Sequence, residues 1–223
     1  MNERQQHRRI AITGAGSGIG RAIALRLSQE GADLRLFGRR LDALEETAAL
    51  LPGPASCHPV DIRDAAAVAD AFAAAGPIHA LIANAGLGGA NEPGEGDRFG
   101  DLVDTNLSGT YHCVRAAVAN FGGDGPRDVV LISSILARIG VPGYTGYCAS
   151  KAGLHSMTQS LAVALAPHGI LAAAVAPGFV ETDMGRTVLD GIRALAPDVT
   201  YAPGATFDAP LDLAAAAAGA RDA

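Results

Sequence analysis

Between Arg9 and about Gly178, short apolar runs alternate with longer segments rich in alanine and leucine, and this alternation leaves few folds open. Short apolar runs bounded by turn residues read as strands, and the longer segments read as helices. Strands are expected at Arg9 to Thr13, Asp33 to Phe37, Ala55 to Val60, Ile78 to Ala83, Asp128 to Ser133 and Leu171 to Ala176. Helices are expected at Ile19 to Gln29, Leu41 to Leu51, Asp64 to Ala74, Gly100 to Asn120 and Tyr147 to Ala166. Several of the strands are apolar throughout, as strands covered by helices on both faces must be. Joined by right-handed crossovers, such units build an α/β fold with a doubly wound parallel sheet. With 223 residues, 49% of them hydrophobic, the chain suits one compact domain with a sizeable core.

The first expected strand runs into Thr13-Gly14-Ala15-Gly16-Ser17-Gly18-Ile19-Gly20, which opens directly into a helix. Glycines at Gly14, Gly18 and Gly20 let the backbone turn tightly and come close to a pyrophosphate. Free N–H groups and the helix dipole would stabilise its charge. Strand before, helix after: that context separates this motif from an ordinary glycine-rich turn. No Gly-Lys-Ser/Thr follows, so hydride chemistry fits better than phosphoryl transfer.

Charge and cysteines narrow the partners. A net charge of −6 with scattered basic residues argues against nucleic acid or an anionic membrane as a partner. Cys57, Cys113 and Cys148 lack metal-ligand or disulfide spacing and read as reduced thiols, so no metal is expected and a cytoplasmic location is. The polar, basic residues 1–8 read as a disordered tail rather than a signal peptide or membrane span.

Chemistry is concentrated at Tyr147 and Lys151. Lys151 is the only lysine among seventeen basic residues, and on a helix a spacing of four residues puts both side chains on one face. A phenol with a pKa of about 10 is a poor proton shuttle at neutral pH, and a close ammonium would lower it.

In this order and spacing the motifs resemble the short-chain dehydrogenase/reductase family over residues 9–184. The glycine motif matches at Thr13 to Gly20, with Ser17 and Ile19 inside it. The adenine-contacting acid matches Asp61 in Asp61-Ile62, and Asn84-Ala85-Gly86 follows the fourth strand. Pro177-Gly178 with Thr182 matches the segment that closes over nicotinamide. The resemblance implies a Rossmann-type three-layer fold, here of six expected strands, the family's usual seventh being missing or unclear. It also implies a catalytic tetrad of Asn106, Ser134, Tyr147 and Lys151. Tyr147 is then the general acid/base, Ser134 holds the substrate oxygen, Lys151 binds the nicotinamide ribose, and Asn106 holds a water linking Lys151 to solvent. Strand alternation favours Ser134 over Ser133 for the substrate side. Tyr144 lines the substrate pocket or packs nearby, and His79 reads as a surface or strand-end residue.

For the cofactor, the end of the second strand decides. An acidic residue there would hold a ribose 2′-hydroxyl, whereas this chain has Gly38 and then Arg39, so NADP(H) is expected ahead of NAD(H). Ser17 and Arg40 are candidate supporting contacts. Residues 184–223 are shorter than the family's substrate-covering end, with a short helix expected from Met184 to Leu195, and the substrate stays open. The expected function is interconversion of a carbonyl and a secondary alcohol on a small molecule, by a homo-oligomer, with a dimer formed through the fourth and fifth helices. The alternative is a non-catalytic nucleotide-binding scaffold or redox sensor on the same fold.

Overall fold

The computed structural model describes residues 5–91 and 94–186. Six parallel strands form one sheet in the order β3-β2-β1-β4-β5-β6. They are β1 (Arg9–Thr13), β2 (Asp33–Gly38), β3 (Ala55–Pro59), β4 (Ala80–Ala83), β5 (Arg127–Ile132) and β6 (Ile170–Val175). Helices α1 (Gly18–Gln29), α2 (Leu41–Ala49), α3 (Ala65–Ala75), α4 (Phe99–Val103), α5 (Thr110–Ala119) and α6 (Thr145–Leu165) complete the layers. The expected doubly wound sheet is therefore present; the helix expected from Met184 to Leu195 is described only through Arg186, where it is helical, and the region in which a seventh strand was expected to be missing lies outside the described residues.

The apolar strands are explained by what covers them. Ile10, Ile12, Leu34, Leu36, Ile82 and Val130 face a core shared with Ile23 and Leu27 of α1 and Leu44 of α2. Their neighbours Ala11, Phe37, Leu81, Val129 and Leu131 point the other way, against Val68, Phe72, Cys113, Val114 and Leu154. Successive residues of a strand serve opposite layers, so alternation in space needs no alternation in polarity. Burying each Leu or Ile in these layers stabilises the fold by about 1.5–3 kcal/mol. At α3 the start is fixed by Asp64, whose side chain accepts from the N–H groups of Ala66 and Ala67.

Three expectations change. The single helix expected from Gly100 to Asn120 is instead α4, a π turn over Asp104–Gly109, and α5. Tight packing accompanies the break: a Cβ on Gly109 would lie 2.8 Å from the Ile62 side chain, and such π insertions gather at functional sites. The expected tail is docked from Gln5 onward, where the Gln5 N–H donates to Glu30 O, the His7 N–H to Gly31 O, and Arg8 pairs with Asp128. His79 sits at a strand end but is buried, its Nδ1 accepting from the Arg9 N–H at 2.9 Å. Burial and the cations of Arg9 and Arg8 lower its pKa, and it lies at the amino ends of the strands, away from the glycine turn.

Candidate active site

The sheet order places β1 between β2 and β4, so the chain leaves β1 toward one side and returns on the other. Crevices form at the carboxyl ends of strands at such a reversal. There the structure has a cleft of about 310 Å³, walled by residues that follow β1, β2, β3, β4 and β5.

Close approach shapes the first wall. Gly14 (φ +66°) and Gly18 (φ +51°) occupy the left-handed region that glycine tolerates. A Cβ on Gly20 would lie 2.2 Å from Gly14 O and 2.6 Å from Asn84 Nδ2. Thr13 Oγ1 accepts from the N–H groups of Asn84 and Ala85, and Asn84 Nδ2 donates back to Thr13 O and Gly14 O. Asn84 thus ties β4 to the glycine turn while lining the cleft. No side chain caps the first turn of α1 at Ser17, which leaves that helix end facing the cleft. From outside, Arg21 donates to Gly16 O at 2.6 Å, and Thr47 Oγ1 to Ala15 O at 3.0 Å. These two braces carry no motif, and the sequence reading did not find them.

The second wall comes from β2 and β3. Gly38, Arg39 and Arg40 line it opposite Val60, Asp61 and Ile62. Asp61 is already engaged: Arg63 Nη2 donates to Oδ2 at 2.7 Å and the Arg63 N–H to Oδ1 at 3.0 Å. The hydrogen bonds from Arg63 hold its carboxyl below the usual carboxylate range. Arg63 is a third residue that the motifs did not signal.

The third wall carries two of the expected tetrad, with Ser134 and Asn106 beside and behind it. Tyr147 and Lys151 lie on α6 and line the cleft, with Lys151 Nζ 5.8 Å from the centre of the Tyr147 ring. Ser134 hydrogen-bonds the Tyr147 phenol, and its Oγ accepts from the Leu136 N–H at 3.1 Å. Ser133 also lines the cleft, but its Oγ is engaged, donating to Lys151 O at 3.0 Å. Lys151 is buried, and its Nζ donates to Ile132 O at 2.9 Å.

Electrostatics differ from the expectation in one respect. Burial raises the Tyr147 pKa, the Ser134 hydrogen bond opposes that rise, and Cys148 adds to it. Burial likewise lowers Lys151 to about 8. The amine that was expected to depress the phenol is itself desolvated. At this site the loss of water outweighs the attraction between the two groups.

Asn106 lies behind the cleft in the π turn, fully buried. Its Oδ1 accepts from the Leu87 N–H at 2.7 Å, and its Nδ2 donates to Leu87 O and to Ser150 Oγ, both at 3.0 Å. Ser150 Oγ in turn donates to Tyr147 O. Both ends of the carboxamide therefore have protein partners, which makes this side chain a strut between the segment after β4 and α6. A Cβ on Gly86 would meet Asn106 Oδ1 at 3.0 Å and Lys151 Nζ at 3.5 Å, so glycine there keeps these two groups near the cleft.

The segment after β6 returns over the glycine turn. Thr182 lines the cleft with Asp183 and Met184, and its Cγ2 would touch a Cβ on Gly18 at 3.4 Å. Ala85, Gly86 and Ile19 also line it, whereas Pro177 and Gly178 do not; Pro177 O instead accepts from the Ile135 N–H. Tyr144 packs against Leu136 rather than opening onto the cleft. Leu87, Thr105 and Ile132 complete the wall and were not foreseen; proximity to a strand's carboxyl end was the available signal for two of them.

Comparison with known proteins agrees with this geometry. Residues 8–192 match the family model of the short chain dehydrogenases. The chain is 30% identical to the 3-oxoacyl-(acyl-carrier-protein) reductase FabG of Staphylococcus aureus over 213 residues, covering 91% of this chain and 86% of that protein. It is 36% identical over 180 residues to the 2-dehydro-3-deoxy-L-rhamnonate dehydrogenase (NAD(+)) of a Sphingomonas species, covering 77% and 71%. Among solved structures, the 3-ketoacyl-(acyl-carrier-protein) reductase from Brucella melitensis complexed with NADH superposes with a TM-score of 0.78 at 29% identity, covering 83% of this chain and 81% of that one.

Proposed function

Because the chain belongs to the short-chain dehydrogenase family, we propose that it is an NADP(H)-dependent oxidoreductase that interconverts a carbonyl and a secondary alcohol, with Tyr147 as general acid/base. One observation carries the reading: Tyr147 and Lys151 line a cleft whose opposite end is the glycine turn, and Ser134 hydrogen-bonds the Tyr147 phenol. The site fits a dinucleotide. Gly14 and Gly20 leave no room for a Cβ, α1 opens on the cleft without a side-chain cap, and the buried ammonium of Lys151 lies beside Gly86. When bound, such a cofactor supplies the two-electron chemistry.

The chain's own residues orient the substrate and move the proton. Ser134 Oγ, held by the Leu136 N–H, is placed to donate to a substrate oxygen that also meets the Tyr147 hydroxyl. In the reducing direction Tyr147 gives its proton to that oxygen; in the oxidising direction the oxygen returns it. Lys151, fixed by Ile132 O, keeps further N–H groups that would hold the cofactor's ribose hydroxyls. Leu87 and Ile132 give the cleft an apolar stretch of lining, and the segment at Thr182 borders it. Panels of ketones with NADPH and of alcohols with NADP test the assignment; no turnover of any class with either cofactor would refute it.

The raised pKa of Tyr147 makes a directional prediction. A phenol above its ordinary value remains protonated through neutrality and is ready to donate but slow to accept. Ketone reduction should therefore be nearly flat with pH between about 6 and 8, while alcohol oxidation climbs across that interval. Steady-state rates in both directions check this, and an oxidation rate that falls with rising pH would contradict it.

Cofactor choice is supported by the second wall, where Arg39 lines the cleft and no carboxylate follows β2. A guanidinium paired with a 2′-phosphate contributes about 1.5–3 kcal/mol. Arg39→Ala should lower kcat/KM for NADPH by about 10- to 100-fold while changing that for NADH by less than about twofold. Equal losses with both cofactors would remove the preference. A homodimer through α5 and α6 is part of the same proposal, supported by the exposed Tyr111 and Val163 on those helices.

A further inference from the structure

We infer that Asn91 is a positioning residue, a helix cap supplied from the loop after β4 that sets where α6 begins and so where Tyr147 and Lys151 stand. The inference rests on the reading of that pair as the working groups.

Helix α6 opens at Thr145 after Tyr144, which provides no side-chain cap. The first N–H groups of a helix need acceptors, and an uncapped end frays. Here the acceptor is remote in sequence. Asn91, only 6% exposed, takes the Gly146 N–H on its Oδ1 at 2.7 Å, and its own N–H donates to Gly143 O at 2.7 Å. One residue thus holds both sides of the turn that leads into α6.

The carboxamide is itself aimed. Asn91 Nδ2 donates to Asp97 Oδ1 at 3.0 Å, and the same oxygen accepts the Phe99 N–H at 2.9 Å where α4 starts. Oδ1 is left facing the helix. Packing leaves little slack, because a Cβ on Gly146 would lie 3.1 Å from both Leu102 Cδ1 and Phe99 Cα, and 3.2 Å from Asn91 Oδ1. Tyr147 is the next residue and Lys151 lies one turn further on, so a shift of the first turn moves the phenol relative to Ser134. Displacements of about 1 Å at reacting groups are costly.

The test removes the acceptor, and separately the group that aims it, in the full chain. Asn91→Ala should speed hydrogen exchange at the Gly146 amide by about fivefold. It should also lower kcat by about tenfold for a ketone that the wild type reduces, with KM for NADPH within about twofold. Asn91→Asp sets a carboxylate against Asp97 and should lower kcat at least as much. Asp97→Ala leaves the Asn91 oxygen in place but removes the group that aims it, so it should speed Gly146 exchange and lower kcat by a smaller factor than Asn91→Ala. A wild-type kcat in Asn91→Ala, or Gly146 exchange in it no faster than wild type, overturns the inference. If the wild-type chain reduces no carbonyl, the oxidoreductase reading fails separately. Gly146 exchange then decides the cap: faster exchange in Asn91→Ala, and to a lesser degree in Asp97→Ala, supports it, and unchanged exchange overturns it.

Discussion

Tyr147→Phe should abolish turnover, by about 10³-fold or more, while leaving dinucleotide binding close to wild type. The substitution removes one oxygen and keeps the ring, so the packing of Tyr147 against Leu136 and Tyr144 survives. Ser134 loses its phenol partner but still accepts from Leu136 N–H, and the 3-10 turn at Ile135–Ala137 that it starts remains capped. What disappears is the proton at the substrate oxygen. Water is a poor substitute at a half-buried site whose neighbours are apolar, so the loss should fall on kcat rather than on KM for the cofactor. Rates with NADPH and a substrate ketone, together with a fluorescence titration of NADPH, separate the two effects. Retained turnover would move the acid role to another group; lost binding with lost turnover would mean that the hydroxyl supports the cleft itself.

The sequence announced this residue because its partners are local or regularly spaced. Tyr147 and Lys151 are one helical turn apart, the glycine turn lies between one strand and one helix, and Arg39 follows directly on β2. Each relation survives without knowledge of how the layers pack. Apart from the local contacts of Arg63 and Arg21, the unforeseen features depend on contacts between distant segments. Arg63 engages Asp61 only because the loop after β3 curls back on itself. Asn91 reaches Gly146 across fifty-five positions of sequence. The π turn depends on Asn106 bonding to Leu87 and on Ile62 crowding Gly109. Burial produced the largest correction. The spacing of Tyr147 and Lys151 correctly predicted their proximity, yet the chain itself does not state how much water they lose, and that loss sets the direction of both pKa values.

That desolvation leads to the second large effect. Lys151→Met should lower kcat/KM by about 10²- to 10³-fold and at the same time stabilise the fold. The ammonium titrates at about 8 in the folded chain against an ordinary 10.5. Between those values the unfolded chain binds more protons than the folded one, so the contribution of this group to stability rises as pH rises. Below pH 8 both states carry the charge and the folded state bears the whole cost of burying it, about 3 kcal/mol for a shift of this size. Methionine fills a similar volume without that cost. The lost hydrogen bond to Ile132 O offsets about 1–3 kcal/mol, which leaves a net gain of about 1 kcal/mol and a melting point higher by a few degrees. Urea unfolding of both proteins at pH 7 and pH 10 isolates the effect. Cys113, whose thiol burial pushes up to about 12, destabilises both proteins equally in alkali and cancels in the difference. The advantage of Lys151→Met should therefore be largest at pH 7 and shrink by pH 10. A variant less stable than wild type at pH 7 would mean that the fold draws stability from this charge, and the account of a buried ammonium retained for chemistry would fail.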